Sequence, residues 1–142
     1  MVRVIPGRER RVAEDLEDAV YPLDPSVRTV PGLHGLVLLI TSLPKGGVES
    51  LIKHVHMEKF VRSLEKYDLI IKDVSPSKAL ATVKKFVAQE KARVRILGNN
   101  IDSFIGLFEK EGFTRGGKEA SVEIHIYGSI AGFIIRRTPV EH

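Results

Sequence analysis

The sequence of 142 residues contains no cysteine and no tryptophan. Without cysteine, the chain has no disulfides, thiolate zinc sites, iron–sulfur clusters or cysteine nucleophiles. Its longest apolar run, Leu36–Ile40, has the length of a strand and falls far short of the ~20 residues that cross a bilayer. Residues 1–7 lack the apolar stretch of a signal peptide. We therefore expect a cytoplasmic protein with no membrane partner.

Amide side chains are scarce as well. Asparagine occurs only at positions 99 and 100, and glutamine only at 89, whereas charged residues make up 28% of the chain. Few amides beside many charges favour a thermophilic source. The hydrophobic share of 43% is typical of a globular protein.

The net charge of +4 is unevenly placed along the chain. Residues 1–73 carry 11 basic and 11 acidic side chains, whereas residues 74–142 carry 11 basic and 7 acidic ones. The surplus of positive charge in the second half indicates a polyanionic partner. The alternative is a solvated basic surface that has no ligand.

Hydrophobic spacing predicts an α+β fold with two modules. In residues 1–74 it predicts strands and helices in the order βαββαβ, ending with an extended segment over 60–72. This is the order of a ferredoxin-like module. Ser75 and Pro76 mark the predicted boundary, since serine caps helices and proline suits their first turn.

Residues 75–142 predict the order αβαββ. The pattern favours helices over 78–89 and 101–111, with a strand over 92–97 between them. Two further strands, over 121–127 and 130–137, form a hairpin around Gly128 and Ser129. Gly112 suits the left-handed position that ends the second helix.

Motifs for catalysis are missing from the sequence. Residues 112–119 resemble a phosphate-binding P-loop, but Glu119 stands where that loop needs a hydroxyl, and the segment runs from helix to strand. His54 and His56 have no acidic or cysteine partner at ligand spacing, and His34 and His125 are isolated. We expect no catalytic residues, no metal and no cofactor, and thus a protein that is not an enzyme.

Basic side chains are the remaining candidates for a site. Arg93 and Arg95 alternate with Val94 and Ile96, which predicts a strand with one basic face. Without tryptophan or interleaved aromatic residues, the chain is better suited to structured RNA, read by shape, than to stacking single strands. The predicted phosphate contacts are Lys84, Lys85, Lys91, Arg93, Arg95, Arg115, Lys118, Arg136 and Arg137.

The element order over 78–135 resembles a THUMP domain, an RNA-binding module of proteins that modify tRNA and rRNA. The first half resembles the ferredoxin-like module that precedes it. Short motifs are similar to archaeal relatives of the THUMP adaptor of tRNA cytidine acetylation: Pro6-Gly7-Arg8-Glu9, Tyr21-Pro22-Leu23-Asp24-Pro25, Gly35-Leu36-Val37-Leu38 and Thr41-Ser42-Leu43. The resemblance implies recognition of the acceptor end of tRNA.

One departure from the family is the short segment 113–120, where THUMP domains carry a longer stretch before the hairpin. No catalytic domain follows in the sequence. We therefore expect a non-catalytic, tRNA-binding adaptor whose partner is an RNA-modifying enzyme, with acetylation implied by the resemblance. The alternative is a structural or protein-interaction subunit that self-associates through its sheets without RNA. The oligomeric state stays open.

Overall fold

The structure is a computed structural model that describes residues 1–86, 93–117 and 120–136. Its contacts divide the chain into two compact units, Met1–Lys66 and Tyr67–His142. Both units combine helices with a sheet, so the predicted α+β class is confirmed. Within the described ranges, none of the helices has the length and apolar character that crossing a membrane requires.

The first unit has the element order βαββαβ that the sequence predicts. Its elements are β1 (Val2–Val4), α1 (Glu9–Val20), β2 (Arg28–Pro31), β3 (Leu36–Ile40), α2 (Lys45–His54) and β4 (Val61–Leu64). The strands lie in the order β2-β3-β1-β4, and every neighbouring pair is antiparallel. Val2, Val4 and Val37 of the strands pack against Val12 and Leu16 of α1. These two helical positions lie one turn apart, so they present one apolar stripe to the sheet.

The second unit contains more strands than its predicted αβαββ order. Its elements are β5 (Leu69–Ile71), α3 (Pro76–Phe86), β6 (Arg93–Gly98), α4 (Asp102–Lys110), β7 (Thr114–Arg115), β8 (Val122–Tyr127) and β9 (Ile130–Ile135). The strands β5 and β7 are the additions. The predicted last residues of the first helix, 87–89, lie outside the described residues.

Strand β5 also places the division between units earlier than Ser75. Leu69–Ile71 pairs antiparallel with β9, whereas the first unit's sheet is completed by Val61–Leu64. Both segments are short and extended, and a strand's residue pattern does not specify its partner. The sequence therefore predicted an extended segment correctly but assigned its end to the wrong sheet.

The second sheet is mixed, in the order β5-β9-β8-β6-β7. Strand β6 runs parallel to both β7 and β8, and β9 returns antiparallel between β8 and β5. One face of this sheet carries Val94, Ile124 and Phe133, which pack against Val83 of α3 and Phe108 of α4. The apolar half of each strand's alternation thus forms the core of the unit.

Helix α4 ends as the sequence predicts. Gly112 has a φ of +91°, in the left-handed region that glycine adopts without strain. Its amide donates to the carbonyl of Glu109 at 3.1 Å, and the amide of Phe113 donates to the carbonyl of Phe108 at 3.0 Å. These two bonds form a Schellman motif, which stops the helix and directs the chain into β7.

Two carboxylates tie together the short motifs that carry the family resemblance. Glu9 accepts hydrogen bonds from the amide of Gly7 at 2.8 Å and from the amide of Gly35 at 3.3 Å. This contact joins the Pro6–Glu9 segment to the segment that begins at Gly35. In the first unit these motifs therefore hold loops together.

Asp24 makes the second of these contacts and is almost fully buried. Its carboxylate accepts from the Ser26 hydroxyl at 2.6 Å, from the Thr41 hydroxyl at 2.6 Å and from the Ser42 amide at 2.9 Å. These donors hold the pKa of Asp24 far below its usual range, the Ser26 hydroxyl most strongly. The carboxylate thereby fastens the loop after α1 to the end of β3.

The substitution Asp24→Asn should lower the free energy of unfolding at neutral pH. It should also reduce the loss of this free energy when the pH falls from 7 to 3. Because the folded pKa is depressed, the carboxylate stabilises the fold above its unfolded pKa, near 3.8, and this contribution is lost as the pH falls through the folded pKa. Urea unfolding at pH 7 and pH 3 measures both effects. Asp18→Asn, at an exposed position of α1, is the control. Equal urea midpoints for both variants would contradict the role given to Asp24.

Candidate functional site

Strand β8 separates two kinds of side chain onto the two faces of its sheet. Val122, Ile124 and Ile126 belong to the apolar core, and Glu123 and His125 point to the opposite face with Tyr127. All six side chains are buried. A buried polar group is costly unless it is paired, so this second face needs internal partners.

A network of buried polar side chains supplies some of those partners. The Tyr67 hydroxyl lies 2.6 Å from Nδ1 of His125 and 2.5 Å from the hydroxyl of Tyr127. The other ring nitrogen of His125, Nε2, lies 3.5 Å from Oε2 of Glu123 and has no well-directed hydrogen bond among the described residues. The four side chains therefore form one connected row, with Tyr67 joining two residues of the same strand.

Gly132 makes room for Tyr67. It stands opposite His125 on β9, and a Cβ at this position would lie 2.7 Å from atoms of the Tyr67 ring. Only a residue without a side chain allows the ring to lie so close to the strand. The glycine thus permits the hydrogen bond to His125.

Glu123 connects the network to two arginines. Arg95 donates from Nη1 to Oε1 at 3.0 Å, and Arg136 donates from Nη1 to Oε2 at 3.4 Å. The pKa of Glu123 is lowered to about 2, first by its contact with His125 and then by the charges of Arg136 and Arg95, against the opposing effect of burial. The carboxylate is therefore ionised at neutral pH, and two positive charges meet one negative charge.

Arg93 lies on the same face as this pair. It precedes Arg95 by two residues on β6, and Val94 between them points into the core. The amide of Ser121 donates to the carbonyl of Arg93, and the amide of Arg136 donates to the carbonyl of Ser121. Arg93 and Arg136 thus stand two strand spacings apart, about 10 Å. We call Arg93, Arg95 and Arg136 the arginine cluster.

The other predicted contacts that lie within the described residues do not join the arginine cluster. Lys84 and Lys85 belong to α3, which packs on the core face of the sheet, and Lys84 lies 3.4 Å from Glu111. Arg115, on the edge strand β7, lies 3.1 Å from Glu109. The predicted phosphate contacts are therefore divided, because α3 lies on the core face of the sheet and Arg95 on the opposite face. Lys91, Lys118 and Arg137 lie outside the described residues.

The sequence prediction missed the polar network. It described His125 as isolated, which is wrong, since only 1% of His125 is exposed and its Nδ1 lies 2.6 Å from the Tyr67 hydroxyl. The signal that was present is the alternation of Glu123, His125 and Tyr127 with apolar residues on one strand. Tyr67 gave no signal, because its partners stand about 60 positions away in the chain.

Metal binding finds no support in the described part of the chain, where no three histidine, aspartate or glutamate side chains are grouped to hold an ion. Neither a protein-family model nor a curated protein matches this sequence. The THUMP resemblance therefore continues to depend on the residues quoted for it.

Removing the Tyr67 hydroxyl should destabilise the second unit. Tyr67→Phe leaves Nδ1 of His125 and the Tyr127 hydroxyl without this partner, which should cost about 1–3 kcal/mol of unfolding free energy. Urea unfolding followed by circular dichroism measures the difference. Tyr21→Phe is the matched control, since Tyr21 is 59% exposed. An equally small effect of both substitutions would show that the network contributes little.

Proposed function

We propose that this protein binds structured RNA, tRNA above all, through the arginine cluster. The observation that carries the proposal is the meeting of Arg95 and Arg136 at one buried carboxylate, Glu123. Their side chains are 32% and 38% exposed, so both are held by Glu123 and stay partly accessible to solvent. This contact brings two positive charges together at a defined place.

The chemistry of arginine supports a phosphate ligand. A guanidinium carries five N–H donors, and the hydrogen bond from Arg95 to Glu123 uses one of them. The guanidinium group suits phosphate oxygens, which arginine binds in a forked geometry. Because Glu123 already orders both side chains, binding loses less conformational entropy than it would with mobile lysines.

The charge of the second unit supports the same ligand. Residues 67–142 carry twelve basic and nine acidic side chains, a net charge of +3, against +1 for residues 1–66. A positive field attracts a polyanion over distances of about a Debye length, roughly 8–10 Å, at physiological salt. The phosphate backbone supplies most of the affinity in such complexes and makes it depend on salt.

The adaptor role belongs to this proposal and depends on the THUMP resemblance. In this role the protein presents tRNA to an RNA-modifying enzyme, and that enzyme supplies the chemistry. Cytidine acetylation is the reaction that the resemblance favours.

Titration of tRNA binding against salt tests the proposal. The affinity should fall steeply with salt, with a log–log slope of roughly −0.7 to −0.9 for each phosphate contacted. The double variant Arg93→Gln/Arg95→Gln should bind tRNA more weakly. Its slope should be less steep by the amount that corresponds to about one to two lost phosphate contacts. The control is Arg10→Gln/Arg62→Gln, which removes the same charge from exposed positions of the first unit. Circular dichroism verifies that each variant is folded.

Two results would contradict the proposal. Equal losses of affinity in both double variants would mean that net charge alone attracts the RNA. The second result is that the parent protein does not bind tRNA and that light scattering shows a dimer whose formation does not depend on salt. This result would favour self-association through the sheets.

A further inference from the structure

Strand β6 has an open edge beside a cavity in the second unit. Strand β7 pairs only with Arg93 and Val94, and the last bond of this ladder runs from the amide of Gly116 to the carbonyl of Val94. The chain then turns back, since the amide of Ala120 donates to the carbonyl of Gly117. The rest of β6 therefore has a strand partner, β8, on one side only within the described residues.

The backbone of Ile96 faces this open side. The N–H and C=O groups of a strand residue point to the same side, and neighbouring residues alternate. The carbonyl of Val94 is bonded on the β7 side, so the N–H and C=O of Ile96 point there too. Neither group has a backbone partner there among the described residues. Unpaired strand groups of this kind form a template for another strand.

The cavity lies directly beside these groups. It has a volume of about 290 Å³, and its apolar wall comes from Ile105 and Phe108 of α4 together with Phe113. At its rim, Glu109 and Arg115 form an ion pair that is largely exposed, at 54% and 68%. An exposed pair of this kind contributes little to stability, so the rim can adjust to a ligand at low cost.

We propose that this edge of β6 binds an extended peptide from a partner protein, which adds one strand to the sheet. A small molecule would fill the cavity but would not pair the two groups of Ile96 at strand spacing. A second copy of the chain fits less well, because β7 and α4 flank the open part of β6 and recess it. Addition of a strand is a common way in which sheets bind peptides.

The surroundings specify the chemistry of that peptide. Its residue opposite Ile96 points toward α4, as the side chain of Ile96 does, and meets the apolar wall. The adjacent residue points to the face that carries Arg95, where opposite charges on neighbouring strands attract. The expected ligand is therefore an extended segment in which an apolar residue alternates with acidic ones.

Hydrogen exchange at the amide of Ile96 tests the proposal. The probe is a capped pentapeptide of threonine, aspartate, valine, aspartate and threonine. In the free protein the Ile96 amide should exchange rapidly, and saturating peptide should slow it at least about tenfold. Slow exchange in the free protein would overturn the proposal, because the edge would already be paired. Slow exchange only at high protein concentration would assign the edge to a second copy and overturn it too.

Methylated peptides distinguish strand addition from simple filling of the cavity. One peptide is N-methylated at valine and another at both aspartates, so that each loses a different set of alternate N–H groups. One of the two should bind about tenfold more weakly than the other, since only one set faces β6. Equal binding of the two peptides, or no slowing of exchange at Ile96 by the parent peptide, would overturn strand addition.

A pair of charge-removing substitutions tests which face the acidic residues meet. Arg95→Gln should weaken binding of the parent peptide several-fold, because it removes the charge that attracts the aspartates. Lys110→Gln removes the same charge from an exposed part of α4 that does not line the cavity, and it should bind nearly as the parent protein does. Equal effects of both substitutions in proteins that circular dichroism shows to be folded would place the acidic residues elsewhere and contradict the assignment.

Discussion

The buried carboxylate of Glu123 is the group on which the second unit's polar face depends. An isolated buried charge is very costly, and here two guanidiniums and an imidazole surround it. Losing one partner of such a group is usually more harmful than never having the group. The arginines are therefore tied to the fold as well as to any ligand, and their positions follow from the same contact that keeps Glu123 ionised.

The two faces of the second sheet make different contacts: one packs against the helices through apolar side chains, and the other carries the polar network. On the helix side, the core resembles that of any small α+β protein. On the other side, Tyr67 brings a hydroxyl from the start of the unit to residues near its end and joins His125 to Tyr127. This row adds buried side-chain contacts to the strand that carries Glu123, and Glu123 in turn holds Arg95 and Arg136.

The edge of the sheet at β6 differs from its two faces because it presents backbone hydrogen-bonding groups. Strand β7 covers only the beginning of β6, so hydrogen-bonding groups next to the cavity stay without a strand partner in the described chain. Proteins usually protect such an edge with charges, proline or a covering segment. The two proposed ligands, an RNA and a partner's acidic peptide, would both meet Arg95, so they would compete for that guanidinium.

The sequence by itself determined the class of fold and most of the elements. The helical stripe of Val12 and Leu16, the left-handed Gly112 and the alternation of Arg93 and Arg95 with Val94 depend on local periodicity and backbone sterics, and each was predictable for that reason.

Only the tertiary structure decided which strands pair and which polar residues meet. Leu69–Ile71 reads as a strand, yet its partner β9 lies some sixty residues further along the chain, and no local pattern selects it. Separation along the chain also hid the contact of Tyr67 with His125, 58 positions away, and that of Arg95 with Glu123, 28 positions away. Such contacts arise when chain segments that are distant in sequence fold against one another, so periodicity along a single strand does not reveal them.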